Sequence, residues 1–410
     1  MATTPLAVLD LVPITSGGSA GGALRASIDL ARHAERFGYA RYWFAEHHLN
    51  PGVAGASPAV ALALTAAATS TIRIGSGAVQ LGHRTALSVV EEFGLIDALH
   101  RGRLDLGLGR SGGGPPDRDR GREHDGGRGR EHDGGRGREH DGGRGREHDG
   151  GRDREPRHVG ATHVVDGRAP NGLRIPPRFR AERLLASPRF ELQRKLLQQP
   201  GAHAQDYSEQ IDDILALLRG SYRSADGVEA HAVPGEGAAV QVWILGSSGG
   251  ESAKVAGSNG LRFAANYHVS PATVLEAVEG YRSAFRSSAE LDRPYISVSA
   301  DVVVAQDEAV ARELAAGYGP WVHSIRSGAG AIAYPTPDES RAYVWPEAGR
   351  ALVADRVDTQ FVGSAQQVAD QLEQLQEATG ADELIITTIT HDHADRVRSY
   401  QLLAQEWGRR

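Results

Sequence analysis

The chain has 410 residues, 45 basic against 52 acidic side chains for a net charge of −7, no cysteine and one methionine. The absence of cysteine excludes disulfide scaffolds, thiolate metal sites, iron–sulfur clusters and a thiol nucleophile. The acidic balance speaks against a nucleic-acid binder, which needs a basic face. No stretch reaches the roughly 18 apolar residues of a membrane helix, and Met1–Pro13 has no basic leader. The expectation is a soluble, cytoplasmic protein with no nucleic-acid or membrane partner. Lys195 and Lys254 are the only lysines, and the preference for arginine extends even to positions with no partner for a bidentate contact.

In chain order, Leu6–Val12 reads as a buried strand, and Leu24, Ile28, Ala31, Ala34 and Phe37 recur at helical spacing before Gly38 stops the run. Tyr39–Ala45 is a second strand. Ser57-Pro58 opens an alanine-rich helix with serine as N-cap and proline at the first helical position. Ile72–Leu81 is a third strand, Ala86–Leu99 a helix and Arg103–Leu108 a fourth strand. An octamer follows, Arg120-Gly-Arg-Glu-His-Asp-Gly-Gly127, repeated at Arg128, Arg136 and Arg144 without one apolar side chain. Such a segment buries nothing to offset its ordering entropy, so disorder is expected over about 112–175. Its His124, His132, His140 and His148 are weak metal binders at best.

Beyond the insertion the pattern resumes, with a helix over Ser208–Leu218 and strands at Val240–Leu245, Leu261–Ala265, Tyr295–Val304 and Glu383–Thr388. Helices are expected at Glu251–Gly257, Pro271–Arg286, Glu308–Tyr318, Ala365–Ala378 and Ala394–Glu406, and irregular chain over 305–360 that covers one barrel mouth. Eight strands alternating with helices predict a single α/β domain over 1–410, a (β/α)8 TIM barrel carrying its low-complexity insertion after strand 4. Chemistry then belongs at the C-terminal strand ends: Asp10, Glu46–His48, Ser76–Gly77, Gly109–Ser111, Gly246–Gly250 and Asn266–His268.

Gly107-Leu-Gly-Arg-Ser-Gly112 matches the dinucleotide fingerprint as a string, but prolines and the repeat follow it where a helix should begin. Gly246-Ser-Ser-Gly-Gly-Glu-Ser252 follows a strand and opens a helix, so its N–H groups and two hydroxyls read either as an anion site or as plain N-capping in a tight loop; lacking a lysine, it suits one phosphate better than a nucleoside triphosphate. Glu46-His47-His48 ends the second strand. Its adjacent imidazoles face opposite sides of the sheet, so they are poor joint ligands and one of them faces the mouth. No metal is expected there, nor at His391-Asp-His393, which reads as capping and surface. Arg110 is placed to meet either a phosphate or Asp10. The aromatic residues Tyr42, Trp43, Trp243, Tyr267, Trp321 and Trp345 are candidates for an apolar pocket, although aromatics more often fill cores.

Taken in order, Glu46-His47-His48, Ile74-Gly-Ser-Gly-Ala-Val79, Gly102-Arg-Leu-Asp-Leu-Gly-Leu-Gly-Arg110, Val242-Trp-Ile-Leu-Gly-Ser-Ser-Gly249 and Ala381-Asp-Glu-Leu384 resemble the bacterial luciferase-like flavin monooxygenase family. The resemblance implies FMN or a deazaflavin at the C-terminal mouth and His47 as the catalytic histidine beside the ring. It places Ser76 and Gly77 under the ring, often at a non-proline cis peptide, Arg110 on the flavin phosphate, and Gly246, Ser247, Ser248 and Gly249 as the phosphate loop. It also implies a monooxygenase using reduced FMN from a separate flavin reductase, acting with O2 on a small organic substrate, and a homodimer. Deazaflavin-dependent hydride transfer and a non-catalytic flavin-binding barrel are the alternatives. The chain departs from the pattern at Leu81-Gly-His-Arg84, where the family often has asparagine and histidine, and at Gly109, where the light-emitting subunit has a reactive cysteine.

Overall fold

The computed structural model describes residues 4–110, 164–202 and 205–410. All four octamer copies, with their histidines, lie outside the described residues. The chain is described again from Val164, and Ala169, Leu173 and Ile175 are buried in the core. The expected insertion therefore extends too far: its last dozen residues carry apolar side chains that the barrel buries.

Eight parallel strands close a ring: β1 (Leu6–Asp10), β2 (Arg41–Phe44), β3 (Arg73–Ser76), β4 (Leu104–Gly109), β5 (Gln241–Gly246), β6 (Arg262–Asn266), β7 (Ile296–Ala305) and β8 (Glu383–Thr387). β8 pairs with both β7 and β1, with Leu6 opposite Leu384 and Asp301 opposite Thr387. The expected third strand is interrupted. It ends at Ser76, resumes as the two-residue strand Val79–Gln80, and turns at Leu81–His83. The break falls at Gly77, whose backbone lies against Leu9 and Trp43, and the Gly77–Ala78 peptide is cis.

The helices that position the site are α1 (Ala20–Phe37), α2 (Pro58–Ala66), α3 (Ala86–Leu99), α4 (Tyr207–Arg219), α5 (Glu251–Ser258), α6 (Val274–Ala284), α7 (Tyr318–Arg326), α8 (Gly349–Val357), α9 (Ala365–Thr379) and α10 (His393–Trp407). Gly38 ends α1 in the left-handed region at φ 83°, which only glycine adopts without strain. Pro58 sits in the first turn of α2 as expected, but Ser57 makes no capping bond. The helix expected over Glu308–Tyr318 divides. It ends at Leu314, and α7 begins after Gly317, whose backbone lies against the Tyr334 ring. No helix among the described residues is long and apolar enough to cross a membrane.

Strand alternation sorts the core into two clusters. Val8, Tyr42, Ile74, Leu106, Ile244, Val298 and Ile386 face the helices. Ala7, Leu9, Trp43, Trp243, Ala264 and Ile385 face the barrel interior, where they join Tyr318, Trp321 and Tyr334 from the segment over the mouth. That segment, 305–360, covers the mouth as expected. The interior is filled from below. Arg41 donates to Glu383 and Asp105 at 2.9 Å and to Gln241 at 2.8 Å, while Trp43 Nε1 donates to Asp105 at 3.0 Å. Above them the Trp43 and Trp243 rings meet edge to face at 5.0 Å. Gly75 makes room for this layer, since a Cβ there would stand 2.8 Å from Trp43 Cδ1 and closer still to Asp105.

Arg41→Met leaves Glu383 and Asp105 buried with their shared cation gone, although Arg73 still holds Asp105. Breaking a buried ion network in this way costs about 3–5 kcal/mol. Urea unfolding should therefore show a drop of that order; a drop below about 1 kcal/mol would mean that the floor of the barrel does not depend on Arg41.

Candidate functional site

β2 ends at Phe44, but the loop after it keeps the same alternation of side chains, so His47 follows Trp43 and Ala45 on the interior side. Its ring is half-buried, its Nδ1 is closed off from solvent without a hydrogen-bond partner, and its N–H donates to Gly55 O at 2.7 Å. Burial, assisted by repulsion from His48, lowers its pKa to about 4. Across the mouth stands His268, just beyond β6 and buried; it is close enough to His47 for that ring to oppose its protonation. Burial and the Arg356 guanidinium lower the His268 pKa to about 3. Its Nδ1 meets Ser299 Oγ at 2.5 Å, and that hydroxyl also contacts Ala265 O at 3.3 Å. If Ser299 donates to the carbonyl, its oxygen accepts from His268 Nδ1–H, which leaves Nε2 as a bare acceptor.

Beside this pair, on the β7–β8 side, Asp301 is buried and bonded to Tyr318 Oη, with Arg356 Nη2 at 3.4 Å. Burial raises the Asp301 pKa against the pull of Arg356. Tyr334 Oη, Trp321 Nε1 and Thr387 Oγ1 are buried without partners. A cavity of about 810 Å³ lies within the covering segment, lined in part by Tyr343, Trp345 and Arg350. It includes neither imidazole.

The other expected residues fall as follows. Ser76 is buried, and its hydroxyl donates to Gly107 O at 2.9 Å and accepts from Gly107 N–H at 3.0 Å. It faces away from the interior because it alternates with Gly75, so only its backbone is available to a ligand. Gly77 faces inward. Gly246 ends β5, and Ser247, Ser248 and Gly249 form the loop before α5. Ser248 Oγ accepts from Gly250 N–H at 3.4 Å, and Gly249 N–H donates to Glu276 Oε1 at 3.2 Å. Arg110 joins this loop: its Nη1 lies 2.7 Å from Glu251 Oε2 in the first turn of α5. It does not meet Asp10, whose carboxylate is taken by Arg396 at 2.7 Å, by Val12 N–H and by Tyr42 Oη. Of the candidate pocket aromatics, Trp43 and Trp243 fill the barrel, Tyr42 and Tyr267 pack under the helices, Trp321 covers the mouth, and Trp345 sits with Tyr343 and His323.

His48 does turn away from His47, as the alternation requires, and meets Glu46 Oε1 at 2.9 Å. His83 Nε2 reaches the same oxygen at 3.1 Å, so Glu46, His48 and His83 stand at metal-binding spacing. However, Arg84 Nη2 also lies 3.1 Å from that oxygen and Gln80 N–H holds the other at 2.8 Å. With a guanidinium already on the carboxylate, the cluster is an ion-pair hub. At the last helix, His391 turns to Ser16 O and His393 to Asp29, while Asp392 caps α10.

Sequence reasoning reaches His268 only as part of the strand end Asn266–His268, and it misses Tyr207, at the start of α4, and His83, in the turn Leu81–His83, because neither carries a local signal.

Comparison with known proteins places the chain in a family. A family model described as luciferase-like monooxygenase matches residues 4–133 and 194–383. The chain belongs to the luciferase-like monooxygenase family. It is 31% identical over 410 residues to the uncharacterized protein YvbT of Bacillus subtilis, covering 99% of this chain and 98% of that one. It is 29% identical to an Escherichia coli luciferase-like monooxygenase, over 98% and 96% of the two chains. Among solved structures, apo-MsnO8 superposes with a TM-score of 0.70 at 25% identity, over 99% and 98%. The oxygenating constituent of 3,6-diketocamphane monooxygenase from Pseudomonas putida, in complex with FMN, gives 0.60 at 15% identity over 99% of each chain. An F420-dependent secondary alcohol dehydrogenase gives 0.55 at 13%, again over 99% of each. These last two show the shared fold.

Both mouth histidines have folded pKa values below the 6.5 of a free imidazole. As pH falls from about 6.5 to 4 the unfolded chain therefore binds more protons, and stability that is complete above 6.5 is lost. The groups facing them are Glu46, His48 and Arg356. The double variant His47→Gln, His268→Gln should lose less melting temperature than wild type between about pH 7.5 and 4.5, read by scanning fluorimetry. Equal losses would mean that the two rings titrate normally.

Proposed function

We propose that this protein is a flavin-dependent monooxygenase that takes reduced FMN from a separate reductase and uses O2 to oxygenate a small organic substrate. The observation that carries the reading is the layout of the barrel rim. A phosphate-sized donor set, Ser247–Gly249 with Arg110, follows β5 and β4, and an enclosed, unpartnered imidazole nitrogen, His47 Nδ1, stands on the loop after β2. These residues fit a flavin mononucleotide, with the phosphate at the loop and the ring toward His47. The bound reduced flavin would supply two of the four electrons that O2 takes up, the substrate supplying the other two, so that one oxygen atom enters the substrate and the other leaves as water.

The chain's own part is to bind, orient and shield. The N–H groups at the start of α5 suit a phosphate because they lie at the positive end of a helix. His47, neutral near pH 7, can accept a hydrogen bond or a proton at a ring nitrogen, and His268 Nε2 offers a second acceptor. Trp321, Tyr334 and Tyr318 cover the mouth and limit water, which favours an oxygenation over wasteful loss of electrons to solvent. His47→Ala should lower turnover about 10²-fold or more with FMN affinity unchanged. Titration with reduced FMN and reduced F420, followed by oxygen uptake, tests the whole reading. Binding of the deazaflavin alone, with no oxygen consumed, would replace it with hydride transfer; binding of neither would end it.

We further propose a homodimer. α2 is apolar on every side, and Val60 and Leu64 on it, with Leu87, Leu95 and Leu99 on the neighbouring α3, are exposed. Two adjacent helices showing that much leucine and valine suit a second copy of the same surface. Light scattering after size exclusion should give a dimer for wild type and a monomer for Leu64→Glu, Leu95→Glu. A monomeric wild type would refute the dimer.

A further inference from the structure

The loop ending β5 is shaped for an anion, yet carboxylates stand on its donors. Glu276 Oε1 accepts from Gly249 N–H at 3.2 Å, and Glu251 Oε2 takes Arg110 Nη1 at 2.7 Å. The first contact is built into the packing. A Cβ on Gly249 would lie 2.8 Å from Glu276 O, so the bare loop backbone rests on α6 with the Glu276 side chain alongside it. Next to these groups, Tyr207 at the start of α4 is only 8% exposed. Its hydroxyl feels the charges of Arg110 and Glu251, and its nearest polar neighbour, Ser252, approaches it without the geometry of a full hydrogen bond. Buried hydroxyls are nearly always partnered, and one left open beside an arginine and a helix start points to a missing acceptor.

We propose that Tyr207 is a further phosphate-binding residue of this site, and that Glu276 and Glu251 are stand-ins that hold Gly249 N–H and Arg110 until a phosphomonoester displaces them. The inference rests on the flavin reading above and adds to it the residues that decide how firmly the phosphate is held. Each carboxylate satisfies one donor and neither satisfies Tyr207. A phosphate presents three acceptor oxygens, enough for Arg110, Gly249 N–H and the Tyr207 hydroxyl together, and charge-assisted bonds of this kind are the strong ones. The displaced carboxylates remain within a few ångströms and repel the dianion, which weakens its binding. Glu276 is thus a brake on phosphate affinity and Tyr207 a contributor to it.

The test is equilibrium binding of oxidised FMN and of riboflavin, which lacks the phosphate, by fluorescence quenching on the full-length protein, with inorganic phosphate as competitor. Wild type should bind FMN more tightly than riboflavin, and phosphate should compete with FMN. Glu276→Gln keeps an acceptor for Gly249 N–H but removes the charge, and should tighten FMN about three- to tenfold with riboflavin unchanged. Tyr207→Phe keeps the ring and should weaken FMN about fivefold, again sparing riboflavin. If wild type prefers FMN but both variants bind it as wild type does, the inference fails and the flavin reading stands. If wild type binds FMN and riboflavin alike, the phosphate loop itself is refuted and the inference falls with it. Matching circular dichroism and melting curves confirm that each variant is folded.

Discussion

One guanidinium ties the bottom of this barrel together. Arg41 projects inward from β2 and is gripped by Asp105 of β4, Gln241 of β5 and Glu383 of β8, and it lies 4.8 Å from the Trp243 ring centroid. Partners on three other strands converge on it only if every strand keeps its register, because a slip of one residue would turn Arg41 out toward the helices. Asp105 passes the constraint upward by also accepting from Trp43 Nε1. Trp43 and Trp243 then fill the middle of the barrel, and the glycine at position 75 is required to admit them. With the floor ionic and the middle aromatic, the top layer is what remains for a ligand, which is where parallel barrels place their chemistry.

That top layer is, at its centre, uncharged. His47 and His268 are held neutral chiefly by burial, with His48 adding to the effect at His47, and Arg356 and His47 adding to it at His268. The charged residues nearby, Asp301 and Arg356, are turned to each other and to Tyr318. The result separates two electrostatic regions on one rim. The imidazole side offers lone pairs without charge. The β5–α5 side offers N–H groups and Arg110, with Glu251 and Glu276 balancing them. An elongated molecule with a polar, nearly neutral ring at one end and a phosphate at the other matches that separation better than a small ion of either sign would.

The barrel was readable from the chain because its signals are local and repeated. Val8, Tyr42, Ile74, Leu106 and Ile386 alternate with interior residues on strands that are apolar on both faces, and Gly38 and Gly380 stop their helices in the left-handed conformation. What escaped was set by contacts distant in sequence. The third strand stops at Ser76 because Gly77 must pass Leu9 and Trp43, which lie 68 and 34 residues away. Arg110 meets Glu251 rather than Asp10 because Arg396, nearly four hundred residues on, has already claimed Asp10. The end of the insertion was misjudged because Leu173 and Ile175 are isolated apolar residues with no periodicity, and only the fold shows that they are buried.

The same long-range logic explains why His47 can be held so firmly on a loop. In the turn after the third strand, His83 and Arg84 both reach Glu46. Together with His48 and Gln80 N–H they give that buried carboxylate four donors, which hold its pKa far below the ordinary range. On the other side of His47, Asn50 Nδ2 donates to His48 O and itself accepts from Ala331 N–H of the covering segment. His47 is therefore the one residue between two anchored neighbours, with its N–H fixed to Gly55 O and only its ring left to choose a partner. Any group that binds this ring would therefore cost the chain little backbone freedom, because the backbone on both sides is already fixed.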